Sequence, residues 1–117
     1  KKYKGKWNKN GHLLIKGAAK GDVLEFEIPS ENPVAEKIVI YGTKANDFAI
    51  LKFSVNGKSA GKTVDFFSKK VMSSGPIVLG KFEAVNNKHL LRIEVVGKNP
   101  KSKAMVFALD CLTLTAE

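Results

Sequence analysis

Leu24, Phe26 and Ile28 alternate with Glu25 and Glu27, and Leu91, Ile93 and Val95 repeat the pattern against Arg92 and Glu94. A period of two sends one set to a core and the other to water, which marks a half-buried strand and excludes a helix in these windows. Apolar runs of strand length recur at 12–16, 22–28, 36–43, 48–56, 62–67, 77–82, 89–96 and 104–115, each bounded by Gly, Pro, Asn or Asp. About eight strands with no helix between them predict an all-β fold, an antiparallel β-sandwich of the jelly-roll kind.

Two local pairings are also predicted. Asn56-Gly57 sits between alternating runs, the strongest short-range hairpin signal, so 48–56 should pair with 62–67. The runs 89–96 and 104–115 flank the polar loop Gly97-Lys98-Asn99-Pro100-Lys101-Ser102-Lys103 and read as a closing hairpin. Residues 1–11 are polar enough to be a tail or linker, leaving 12–117 as a single domain. A domain of this length buries roughly 65% of its unfolded surface and needs no disulfide. The lone Cys111, within the apolar final run, reads as a small buried hydrophobe.

No apolar run approaches the ~18 residues of a membrane span, and the opening KKYKGKWNKNG lacks a signal-peptide core. Because the sequence starts without Met, it is expected to be part of a longer protein. Twenty Lys and Arg against eleven Asp and Glu give a net charge of +9, and Arg92 is the only arginine. Such a field attracts polyanions, while the shortage of guanidinium forks argues against sequence-specific reading of nucleic acid.

Catalytic chemistry finds no constellation. His12, His89 and Cys111 lie far apart with no metal-ligand spacing, and His12 and His89, each opening a strand, read as edge or hydrogen-bonded imidazoles. None of the serines sits in a nucleophile elbow, and Gly57 and Gly61 belong to a hairpin and precede no helix N-terminus that would take a phosphate. A binding surface remains. Three connections carry lysine: Lys44, the pair Lys69-Lys70, and Lys98, Lys101 and Lys103. Loops of a sandwich cluster at its two ends, so some of these lysines should share a rim. Trp7, in the polar context GKWNKNGH, is either a sugar-stacking platform or a lid on the core.

The motif Gly21-Asp22-Val23-Leu24-Glu25-Phe26-Glu27-Ile28-Pro29 resembles a signature of galactose-binding-like carbohydrate-binding jelly rolls, and Ala108-Leu109-Asp110-Cys111-Leu112-Thr113-Leu114 resembles their closing strand. The segments 43–51, 55–58, 75–80 and 96–101 add a likeness, in order along nearly the whole chain, to accessory domains of bacterial polysaccharide-degrading enzymes. The resemblance implies a structural calcium ion, for which Asp110 matches one ligand while the expected amino-terminal carboxylates are missing. Ala108 and Cys111 replace a ligand-contacting Asn and an aromatic of the usual sugar cleft.

Together these readings describe a non-catalytic carbohydrate-binding or accessory module of a larger glycan-degrading enzyme, secreted, periplasmic or at the cell surface. Its partners would be the parent catalytic domain and an anionic polysaccharide bearing sulfate or uronate groups. Lys44, Lys69, Lys101 and Lys103 would supply charge, Asn46 and Asn99 hydrogen bonds, and Trp7 stacking. Two alternatives stand beside it: a structural sandwich that packs on the parent enzyme without a glycan, and a nonspecific polyanion or single-stranded nucleic-acid binder. The last is disfavoured because the richest lysine loop, 97–103, contains no aromatic ring.

Overall fold

The alternating runs fold as expected, with their apolar parity turned inward. A computed structural model describes residues 2–6, 13–15 and 20–116, the first two segments and Asp110 by backbone only. Its strands are β1 (Lys2–Lys6), β2 (Leu13–Ile15), β3 (Val23–Pro29), β4 (Glu36–Lys44), β5 (Ala49–Val55), β6 (Lys58–Asp65), β7 (Met72–Phe82), β8 (Lys88–Lys98) and β9 (Phe107–Ala116). They form two sheets, ordered β1-β3-β8-β5-β6 and β2-β9-β4-β7. All pairings are antiparallel except β1 with β3, which run parallel with Lys6 opposite Glu27. The polar opening segment, outside every predicted strand, thus supplies β1.

Between the sheets lie Leu24, Phe26 and Ile28 of β3, Leu91, Ile93 and Val95 of β8, Ile38 and Ile40 of β4, and Leu51, Phe53 and Val55 of β5. Burying each such side chain contributes about 1.5–3 kcal/mol, the main force closing the sandwich. The intervening Lys52, Arg92, Glu25 and Glu94 face outward, as their parity requires.

The predicted hairpin at Asn56-Gly57 is present. Val55 pairs with Lys58, and Asn56 and Gly57 both adopt positive φ, 51° and 83°. This is the primed turn whose twist matches that of paired strands. It joins β5 to β6 without a spacer, so β6 starts at Lys58 and not at 62. Further along β6, Gly61 has φ 64°, and a Cβ there would lie 3.0 Å from the carbonyl oxygen of Val78. A bare backbone at Gly61 therefore lets the edge of one sheet settle against β7 of the other.

The expected closing hairpin is not formed. β8 already has β3 on one side and β5 on the other, so its hydrogen-bonding edges are both taken. β9 instead enters the second sheet between β2 and β4, and the 99–106 connection crosses the roughly 10 Å between sheets. Cys111 is corrected as well. A register shift between Tyr41 and Gly42 breaks the alternation of β9, so Leu109 and Leu112 are buried while Cys111 is partly exposed opposite Tyr41.

At the end where β8 begins, three polar residues interrupt the apolar interior. Glu36 is 6% exposed, Ser30 7% and His89 0%. The Ser30 hydroxyl donates to Oε1 of Glu36, and Nε2 of His89 lies 3.0 Å from the same oxygen. Nδ1 of His89 has no hydrogen-bond partner among the described residues. An N–H at Nε2 fits this contact, since it donates to the carboxylate. The arrangement is a bolt between sheets, with His89 on β8 and Glu36 on β4. It is not a hydrolytic triad, because the carboxylate, and not the imidazole, is the shared partner.

Two measurements check these points. His89→Ala and Glu36→Ala should each cost about 2–4 kcal/mol in urea unfolding, and the double variant clearly less than the sum; additive losses would mean that the two groups act separately. Gly57→Ala meets only the strain of positive φ and should cost about 1 kcal/mol, whereas Gly61→Ala adds a backbone clash and should cost more. Equal losses would remove the close approach of β6 to β7.

Candidate functional site

β2, β4, β6 and β8 end, and β3, β5, β7 and β9 begin, at one end of the sandwich. The connections 45–48, 66–71 and 99–106 therefore meet there, and backbone hydrogen bonds tie them together. Ala45 N donates to Phe66 O at 3.1 Å, Ser68 N to Ala45 O at 3.0 Å, Lys103 N to Asn46 O at 3.0 Å and Val106 N to Asp47 O at 3.0 Å. Parallel bridges join Ala45 to Phe67 and Phe48 to Val106.

Short polar side chains then set the local shape of each loop. Asp65 Oδ1 accepts from Phe67 N at 2.9 Å, Ser68 Oγ from Lys70 N at 3.3 Å, and Asn99 Oδ1 from Lys101 N at 3.0 Å. Each is an i to i+2 bond in which a side chain mimics a turn of backbone. Two of the three fix the backbone of a lysine. The loops are also bolted to each other, because Asn99 Nδ2 donates to Asp65 Oδ2 at 2.8 Å. Ser102, 3% exposed, hydrogen-bonds through Oγ to Phe48 O at 2.8 Å and Ala104 O at 2.9 Å. The ammonium of Lys98 donates to Ser102 O at 2.8 Å.

The predicted site residues divide accordingly. Lys69, Lys101, Lys103 and Asn46 are exposed on the tied loops, and Lys44, half-buried, ends β4 opposite Met72. Lys70 stands beside them, exposed. Asn99 reaches this end, but both ends of its carboxamide are engaged, so it positions Lys101. Trp7 lies outside the described residues. Asp110 lies in β9, and among the described residues no group of three or more His, Cys, Asp or Glu side chains could hold a metal.

Sequence reading passed over Lys20. It is exposed on the connection into β3, and Gly21 N donates to Val95 O at 2.7 Å, which places it at the same end. Asp22, Asp47 and Asp65 lie at the same end, Asp22 buried and Asp65 held by Asn99 and Phe67, but the lysines outnumber them. The resulting surface is a cationic rim of lysines on braced backbone, with Asn46 exposed among them.

No helix of the described residues is long and apolar enough to cross a membrane. No protein-family model matches the sequence, and no curated protein does. Among solved structures, the chain is similar to part of a Paenibacillus xanthan lyase determined to 2.6 Å resolution, with a TM-score of 0.77 and 23% identity. The likeness covers 91% of this chain and 10% of the lyase chain. It establishes the sandwich fold across nearly the whole of this chain, matched to a small part of a much longer polysaccharide-degrading enzyme.

Proposed function

We propose that this chain is a non-catalytic accessory module of a polysaccharide-degrading enzyme, and that its lysine-rich end holds acidic groups of a glycan. The observation that carries the reading is the convergence of the lysine-bearing loops 66–71 and 99–106 and the Lys44 end of β4 on one end, tied through the 45–48 connection by backbone hydrogen bonds. Its context is a fold shared with a tenth of a polysaccharide lyase. A module of this kind works without chemistry. By holding the enzyme on its polymer it converts the next encounter into an intramolecular one and raises local concentration.

Lys69, Lys101 and Lys103 supply the attraction to carboxylate or sulfate, Lys44 and Lys20 extend it, and Asn46 offers a hydroxyl partner. Preformed loops matter here, since backbone already ordered by Asp65, Ser68 and Asn99 is not ordered again on binding. The galactose-binding-like motifs of β3 and β9 belong to the same reading, with the lysine end replacing the cleft that Ala108 and Cys111 weaken.

A second reading has its own observation. The outward rows of the four-stranded sheet place Val78 beside Val39 and Pro76 beside Tyr41, with Thr113 and Cys111 on the other side. Val78 is 49% exposed, and these two rows carry no charge, although Lys37 and Lys81 pair in the row beside them. Such a face suits a structural module that packs on its parent enzyme.

Retention on neutral, uronate and sulfated polysaccharides, with single-stranded DNA as control, separates the readings. Acidic glycans should retain the chain at low salt, and replacing Lys69, Lys101 and Lys103 together by Ala should weaken retention at least about tenfold without changing urea stability. Failure of every glycan at low salt refutes glycan binding and leaves the structural module. Equal retention by DNA and all acidic glycans, lost together in modest salt, reduces the site to nonspecific charge. Asp65→Ala should loosen the Asn99 clasp and weaken acidic-glycan retention about two- to fivefold although no ligand charge is removed; unchanged or tighter retention would take away the role of loop bracing.

A further inference from the structure

The outer face of the five-stranded sheet carries a second recess, unlike the lysine end in charge and chemistry. Its volume is about 270 Å³. The floor is made by small or apolar residues, Ser54, Gly57, Ser59 and Leu90, and the walls by the long side chains of Glu25, Lys52, Arg92 and Glu94. Strand register explains the shape. Glu25 is paired with Arg92, Arg92 with Ser54 and Ser54 with Ser59, so one row runs across four strands from long to short side chains. Lys52 stands opposite Glu94 in the next row. The trough therefore opens toward the β5–β6 turn, where the side chains are smallest.

Its charges cancel, two bases against two acids, on a chain of net charge +9. An anion would meet Glu25 and Glu94, and a cation would meet Arg92 and Lys52. The ligand that suits interspersed donors and acceptors is a hydroxyl, which donates and accepts at once. Arg92, the only arginine, presents a planar fork of donors, the carboxylates accept, and the two serines do both. Neighbouring strands are about 4.8 Å apart, so the row offers hydrogen-bonding groups at close to the spacing of successive rings in an extended glycan. Leu90, half-buried in the floor, gives the C–H face of a ring an apolar contact.

We infer that this trough binds an uncharged, hydroxyl-rich saccharide across β3, β8, β5 and β6, independently of the lysine end. The two sites would then read different parts of one polymer, acidic groups at the end of the sandwich and neutral sugar rings on its face.

The test is a titration of the 15N-labelled chain with cellohexaose, xylohexaose and mannohexaose in about 0.5 M NaCl, where attraction to the lysines is screened. The expected result is saturable shifts at the amides of Ser54, Ser59 and Arg92 with at least one of the three. Ser59→Trp, at an exposed position, fills the trough and should abolish them, Arg92→Met keeps the stem and should weaken binding about tenfold, and Lys101→Ala with Lys103→Ala should leave them unchanged. The inference is overturned if none of the oligosaccharides shifts these amides up to about 10 mM, if the shifts survive Ser59→Trp, or if they cluster on the lysine loops. Acidic-glycan retention at low salt is read separately, so either site can fail while the other stands.

Discussion

Two sheets can share one dry interior only if every strand keeps its apolar positions in phase, and the rest of this structure follows from that constraint. Leu91, Ile93 and Val95 of β8 and Ile38 and Ile40 of β4 are fully buried from opposite sheets. A one-residue slip in either strand would send charged neighbours such as Arg92 or Lys37 inward. Where the phase does change, the ladder takes a register shift, as at Gly42 and within β7. The loops, the end-to-end polarity and the outward faces are consequences of strands locked in this way.

The same phase rule applies to polar residues, and it accounts for the inter-sheet bolt. Ser30 follows Phe26 and Ile28 at spacings of two, Glu36 precedes Ile38 and Ile40, and His89 precedes Leu91, Ile93 and Val95. All three are therefore turned inward by parity, so a signal for them exists in the chain. Their burial is tolerable because they satisfy one another, with one carboxylate oxygen shared by a hydroxyl and an imidazole. At the opposite end the polar groups serve loop shape, and Lys69, Lys101 and Lys103 are left outward.

The two proposed glycan contacts are divided between an end and a face of one scaffold. The lysine end gathers charge from loops distant in sequence, while the trough arises from the change from long to short side chains across the sheet. Each depends on the core without contributing to it. A likeness at 23% identity over 91% of the chain shows this fold held while most side chains differ.

Eight of the nine described strands, the inward parity of β3 and β8, the Asn56-Gly57 turn and the basic character of the loops were legible in the sequence, because each is set by residues a few positions apart. Sheet membership was not. The segments 89–96 and 104–115 look like hairpin partners, yet β8 has both edges filled by β3 and β5, and β9 crosses to the other sheet. Nor did the sequence reveal that Asn99 is a clasp on Asp65, that Lys20 joins the lysine end, or that Glu25, Arg92, Ser54 and Ser59 form one row. Pairing is a competition among all strands for a limited number of edges, and only the tertiary structure decides which residues far apart in the chain become neighbours.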